Sequence, residues 1–285
     1  MAAAAQAETK TLAITGQSAL GAGGGTFQHL FDPVLNTSGQ AAFHALLTGT
    51  ADGGREVQNV SVLVAIGVNQ EGYREILGIS EGGREDKASW QAFLRHLKER
   101  GLGGVRLFIS DKCLGLVEAL GETYPEAKWQ RCVVHGYRNV FTAVPRGKVR
   151  EVAAMLKAIH AQEDRPAAEA KAQEVVRKLE KLRLAKAAGI VREGAAETLT
   201  YYGFPSEHWR NIRTNNPLER ILREVRRRTR VVGNFPDGHS AVMLVAARLR
   251  HIAGTKWGTR RYLTAERLTE AEREVASRRR RREVR

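Results

Sequence analysis

From Val60 onward the chain alternates between apolar runs and helical stripes. Val60 to Val68 (VSVLVAIGV) is a nearly unbroken apolar run, the pattern of a strand buried on both faces. Asn69-Gln70-Glu71-Gly72 supplies a turn and Tyr73 to Ser80 a second strand, so the pair predicts a hairpin that ends at Glu81-Gly82-Gly83. Lys87 to Arg100 places Trp90, Phe93, Leu94 and Leu97 at spacings of three and four, an amphipathic helix that Gly101 and Gly103 stop. Val105 to Ser110 is a third strand, running directly into Asp111. Leu114 to Leu120 reads as a helix and Ala127 to Gln130 as a short strand. The order β-β-α-β-α-β predicts an α/β fold.

Residues 146–204 are almost entirely helix formers. Pro166 stands where a first helical turn begins, and Val175, Leu179 and Leu182 form an apolar stripe. This stretch predicts an all-helical insertion. Further helices are expected from about Asn216 to Thr229 and from His239 to Ala253, the latter closed by Gly254. The run Arg278 to Arg282 reads as a disordered basic tail.

Residues 1–52 have a different character, rich in Gly, Ala, Ser and Thr and poor in charge, with a flexible stretch at Gly21 to Gly25. Asn36-Thr37-Ser38-Gly39 is a turn signal between Pro33-Val34-Leu35 and Ala41 to Leu47, which predicts a β-hairpin. Asn36, Gly39, Ala42 and Phe43 loosely resemble a repeat of surface proteins.

Charge narrows the functional classes. The 285 residues carry 46 Lys and Arg against 31 Asp and Glu, a net charge of +15. Such an excess calls for a polyanionic partner, most often nucleic acid; a ribosomal or membrane-surface protein is the alternative. Two cysteines, Cys113 and Cys132, do not build a disulfide scaffold and suit a reducing cytoplasm. No run approaches the roughly 18 apolar residues of a membrane span, and Met1 to Ala7 lacks the basic and long apolar regions of a signal peptide.

Two carboxylates stand out. Asp111 follows a buried strand, where α/β sheets carry functional groups; an Asp there also serves as a helix N-cap. Glu219 falls in the first turn of a helix opened by Pro217, where a carboxylate also complements the helix dipole. Arg220, Arg223, Arg226, Arg227, Arg228 and Arg230 follow within eleven residues. One carboxylate ahead of a basic face suits phosphodiester chemistry, the acid holding a divalent metal and the arginines neutralising phosphates. Cys132-Val133-Val134-His135 lacks the second ligand pair of a zinc site; a packed Cys and a hydrogen-bonded His is the simpler reading.

Five segments in order resemble the Mutator family of transposases: VSVLVAIGVN (Val60 to Asn69), ISDKCLGLVEAL (Ile109 to Leu120), WQRCVVHGYRN (Trp129 to Asn139), FPSEHWRNIRTNNPLER (Phe204 to Arg220) and RRRTRVVGNFP (Arg226 to Pro236). The likeness spans about residues 55–265. It implies a ribonuclease H-like mixed sheet flanked by helices, an Asp-Asp-Glu triad and Mg²⁺ or Mn²⁺. Asp111 matches the second Asp and Glu219 the Glu, 219 − 111 = 108 residues apart, with the helical insertion between them. Cys132 and His135 match the family's Cys-x-x-His signature. Trp209 matches a Trp before the Glu helix, implied to stack on an unpaired base; core packing is the alternative.

The resemblance divides the chain into a foreign segment (1–52), a first part of the core (53–145), the helical insertion (146–204), the Glu helix and its successor (205–260) and a basic tail (261–285). It also exposes a departure. The segment that bears the family's first Asp is absent, and its position falls near His44; Asp32 and Asp52 are the other carboxylates in reach. The upstream DNA-binding helices of full-length members are absent too. Two expectations stay open: a bacterial, cytoplasmic and nucleoid-associated transposase core, impaired in strand cleavage and transfer, or a non-catalytic DNA-binding derivative. Either would bind double-stranded DNA, as a homo-oligomer or co-assembled with intact transposase, and neither involves a membrane.

Overall fold

The computed structural model describes residues 61–69, 71–82, 86–232, 238–264 and 266–267, and the backbone of five short strands before them. Those five are β1 (Leu30–Phe31), β2 (Val34–Thr37), β3 (His44–Ala45), β4 (Thr50–Ala51) and β5 (Val57–Gln58). Gly21 to Gly25, Asp32, Asp52 and the Arg278 to Arg282 run lie outside the described residues, as does the side chain of Arg230.

The apolar run becomes β6 (Ser61–Val68), antiparallel to β7 (Arg74–Gly82) with Val64 opposite Ile79. Asn69 closes their turn: its backbone N–H donates to Tyr73 O at 2.7 Å and its Oδ1 accepts from Tyr73 N at 2.8 Å. Gly72 takes φ +89° there, a conformation that costs glycine little.

Both faces of β6 are covered, as an unbroken apolar strand requires. Val62, Val64, Ile66 and Val68 point into one core cluster, and Leu63 and Ala65 into another. The second cluster is completed by α1 (Lys87–Glu99), through Trp90, Phe93, Leu94 and Leu97, and by α2 (Leu114–Thr123). Asp86 caps α1, its Oδ1 accepting from Ser89 N at 2.8 Å, and the chain leaves through Gly101 at φ +97°. Each fully buried aliphatic side chain contributes about 1.5–3 kcal/mol, so the clusters define the layers.

Between these helices runs β8 (Gly104–Ser110), parallel to β9 (Lys128–Arg131), with Ser110 opposite Arg131. On its other side β8 pairs antiparallel with β2, Val34 opposite Phe108. Both β2 and β3 also approach β6. The expected hairpin of Pro33-Val34-Leu35 with Ala41 to Leu47 is corrected: its two arms take different partners. Val34–Thr37 joins β8, whereas His44 pairs with Phe31. Asn36 and Thr37, read as turn residues, extend the strand, because the open edge of β8 offers ladder hydrogen bonds that a local turn does not.

After β9 the chain is helical: α3 (Val133–Phe141), α4 (Val149–Ile159), α5 (Arg165–Lys181) and α6 (Ala185–Gly194). Asp164 caps α5 and Pro166 lies in its first turn. Residues from Val140 to Leu199 form a third core cluster. Then come α7 (Ser206–Ile212), α8 (Asn216–Val232), α9 (Gly238–Ala253) and α10 (Lys256–Thr259). Leu218, Ile221, Leu222 and Val225 of α8, with Val242, Val245 and Leu249 of α9, cover the first face of β6. The molecule is thus a mixed α/β structure, mostly helical, with small sheets. Among the described residues no helix is long and apolar enough to cross a membrane.

Candidate functional site

The parallel ladder fixes where the chemistry can sit. Since β8 and β9 run the same way, Asp111 and Cys132, which follow them, emerge at one edge. Cys132 N donates to Ser110 O at 2.9 Å, carrying the ladder one residue past β9. Beneath Asp111, the Ser110 hydroxyl donates to Asp111 O at 2.7 Å and accepts from Trp129 Nε1 at 2.8 Å.

Asp111 is half-buried, and its Oδ1 accepts from Lys112 N at 2.7 Å. The N-cap alternative is not realised: Cys113 occupies the cap of α2 and makes no side-chain cap bond. Lys112 reaches away from Asp111 to Glu197, Nζ to Oε1 2.6 Å. Arg131, only 7% exposed, meets the other oxygen of Glu197 at 3.2 Å. Glu197, from the helical region, therefore ties that region to the ends of both strands. A Cβ at Gly194 would come within 2.6 Å of Arg131 Nη1, so a larger residue there would make the guanidinium shift.

The Cys-x-x-His unit connects β9 to α8. The Cys132 thiol points to Asn215 Oδ1 at 3.7 Å, and Asn215 is fully buried ahead of α8. Val133 N donates to Arg213 O at 3.1 Å. One turn along α3, His135 is buried with Nε2 4.0 Å from Glu219 Oε1. Arg138 Nη1 lies 3.2 Å from the same ring nitrogen and 3.5 Å from Glu219 Oε1. A guanidinium only donates, so His135 Nε2 is the acceptor and carries no proton in that bond. The packed, hydrogen-bonded reading of the motif fits this arrangement.

Glu219 sits in the first turn of α8, its N–H bonded to Asn215 O at 3.3 Å. Its Oε1 is buried and accepts no hydrogen bond, an orphaned acceptor beside a cation. Asp111 and Glu219 are hard oxygen donors, the chemistry that Mg²⁺ takes. Among the described residues no group of three or more His, Cys, Asp or Glu could hold a metal ion.

Along α8 the apolar positions turn inward and Arg220, Arg223, Arg227 and Arg228 are exposed, with Arg226 half-buried. Arg227 is not available in the same way as the others: Glu224 accepts from its Nε and Nη2 at 3.0 and 2.8 Å, and also pairs with Arg248 of α9. These partners hold the Glu224 carboxyl down at about 2, Arg227 contributing most and Arg248 after it. Arg220 extends the positive surface towards Arg74, whose guanidinium lies 4.9 and 4.8 Å from the rings of Trp257 and Tyr262. Trp209 is half-buried, edge-on to Tyr201 and Tyr202, and its Nε1 donates to Phe204 O at 2.7 Å; its contacts are those of packing.

Sequence reasoning missed Arg138, Asn215 and Glu197. Arg138 carries a signal in retrospect, since it lies three residues from His135 and so on the same face of α3. Glu197 carries none, because its partners are 66 and 85 residues away.

The Mutator family transposase model matches residues 45–257, most of the chain. The transposase for insertion sequence element IS1081 of Mycobacterium tuberculosis is 44% identical over 232 residues, 81% of this chain and 55% of that protein. The transposase for ISRM5 of Rhizobium meliloti is 39% identical over 67% of this chain and 48% of its own length. The transposase for IS256 in transposon Tn4001 of Staphylococcus aureus is 34% identical over 67% and 49%. The chain spans about half the length of these relatives.

Proposed function

This chain belongs to the Mutator family of transposases, and from that premise we propose that it forms a ribonuclease H-like carboxylate core acting on duplex DNA in the transposition of an insertion sequence. What supports the reading is that Asp111 emerges beside Cys132 at the end of the β8–β9 pair, and that one turn along α3 from Cys132 the side chains of His135 and Arg138 lie against Glu219. Asp111 and Glu219 would hold a divalent cation, Mg²⁺ or Mn²⁺. When bound, such an ion activates the attacking water or 3′-hydroxyl and stabilises the leaving oxygen. The protein's own part is positional. Trp129 and Ser110 stiffen the backbone at Asp111. The exposed arginines of α8 neutralise phosphates on the helix that bears Glu219.

We further infer that strand cleavage and transfer are impaired. His44 stands near the place of the family's first Asp, on a short strand that approaches β6. A neutral imidazole is a poor ligand for Mg²⁺. The deciding experiment compares the wild type with His44→Asp on element-end DNA in Mg²⁺ and Mn²⁺. Cleavage gained by His44→Asp supports the reading. Robust cleavage by the wild type that Asp32→Asn or Asp52→Asn abolishes shows that another carboxylate serves, and the impairment is then wrong.

A second reading is a non-catalytic DNA-binding protein of the cytoplasm, able to join intact transposase or its own copies. The exposed arginines of α8 support it, since they can bind phosphates without any chemistry at Glu219. DNA binding without cleavage in either protein is its signature.

A further inference from the structure

Arg138 stands at the carboxylate edge between His135 and Glu219. Its side chain is 56% exposed, whereas that of Glu219 is 17% exposed. The separation of 3.5 Å from Nη1 to Oε1 is longer than the roughly 2.7–2.9 Å of a formed charge-assisted bond. Glu219 Oε1, buried and without a hydrogen bond, is accordingly left open to a closer cation. Arg138 is meanwhile held by a bond of 3.2 Å to His135 Nε2, which leaves other N–H groups of its fork unused by the contacts described, on the solvent side.

We propose that Arg138 exchanges partners at this site: it is the counter-ion of Glu219 in the protein alone, and becomes a ligand of a DNA phosphate once a divalent cation takes Glu219. The chemistry favours the exchange. A divalent ion outcompetes a guanidinium 3.5 Å away for a hard carboxylate oxygen. An arginine displaced from a carboxylate is matched by its planar fork to a phosphate. The position suits it, because α3 and α8 meet here and the exposed arginines of α8 continue from Glu219. The anchor on His135 keeps the guanidinium at the edge while its other N–H groups turn outward. This inference rests on the assignment of Glu219 as a metal-binding carboxylate.

The test uses the full chain and two probes, Mn²⁺ alone and a duplex of element-end sequence. Calorimetry measures Mn²⁺ binding to the wild type, Arg138→Gln, Arg138→Lys and Glu219→Gln, with circular dichroism confirming that each is folded. Removing one positive charge a few ångströms from the ion should tighten Mn²⁺ binding by Arg138→Gln on the order of tenfold. Arg138→Lys should stay near the wild type. In Mn²⁺, Arg138→Gln should bind the duplex more weakly, with the slope of log affinity against log salt flatter by about 0.9, one phosphate contact. Unchanged Mn²⁺ affinity in Arg138→Gln, or an unchanged DNA slope, overturns the exchange. If Glu219→Gln binds Mn²⁺ as the wild type does, the metal assignment of Glu219 fails instead, which separates the two failures.

Discussion

The Cys132 thiol and the side-chain oxygen of Asn215 meet at 3.7 Å, joining the end of a strand to the start of the Glu219 helix 83 residues later. Both residues are fully buried, so the contact is screened from water. Cys132→Ala removes the donor and leaves Asn215 Oδ1 unsatisfied in the core. The expected loss is about 1–3 kcal/mol, read as a lower urea midpoint with an unchanged m-value. Cys132→Ser, which keeps a donor, should lose less. Equal losses from both would show that the sulfur acts only by filling space.

The helical region should lose stability in acid. His160 is buried against Tyr137, Tyr201 and Thr198, and burial, with Arg213 adding to it, pushes its imidazole down to about 3 from 6.5. Because the folded value lies below the unfolded one, the unfolded chain binds more protons between those limits. Stability from this residue is therefore complete above pH 6.5 and falls as pH drops towards 3, by at most about 1.4 kcal/mol per unit. Unfolding curves from pH 7 to 4 should show the slope, and His160→Asn should flatten it. A variant with the wild-type slope would assign the acid sensitivity elsewhere.

Glu197 anchors a buried charge, so its loss should be felt beyond the surface. Glu197→Gln leaves Arg131, 7% exposed, without its carboxylate. A fully buried pair broken on one side costs about 3–5 kcal/mol; Glu197 is itself 25% exposed, so about 2 kcal/mol is expected after screening. Thermal melts of Glu197→Gln and of the double variant with Arg131→Met check this. The double variant should recover part of the loss, and a double variant no better than the single one would deny the uncompensated charge.

The arginines of α8 should not contribute equally to DNA binding. Arg220, Arg223 and Arg228 have no ion-pair partner among the described residues, whereas Arg227 is held by Glu224. Replacing the first three with Gln should flatten the salt slope by about 2.7, three contacts' worth. Arg227→Gln alone should change it less than any of the three does singly. Glu224→Gln, which releases Arg227 and Arg248, should strengthen binding. A slope insensitive to the triple substitution would place the DNA on another surface.

What could be read from the sequence follows from the range of the forces involved. The run Val60 to Val68 and the stripe of Trp90, Phe93, Leu94 and Leu97 announce their elements because burial imposes its period on neighbouring residues. Asp111 and Glu219 could be picked out because each marks an element's end. The partners of Val34–Thr37 could not, since the choice between a local hairpin and the edge of β8 depends on an edge about 70 residues away. Helix α3 is faint in the sequence: Val133, Tyr137 and Val140 have helical spacing, but nine residues hold too few turns for the period to stand out. Arg138 and Glu197 belong to no periodic pattern; they are defined by charges that only the fold brings near.

The three core clusters differ in how much of the chain each must wait for. The buried residues of the helical-region cluster all lie between 140 and 199, with Tyr137 and Tyr202 packed against them. The cluster beneath α8 and α9 combines Val62 with Leu263, and Tyr262 N donates at 2.7 Å to Gly72 O in the turn between β6 and β7. Local contacts close quickly and distant ones slowly. During synthesis the helical region can therefore consolidate on the ribosome while β6, an apolar strand, still lacks the cover of its first face. That interval ends only when α8, α9 and the segment at 262–263 have emerged. The hazard for this chain is thus timed rather than located: a strand apolar on both faces is made early and sheltered last.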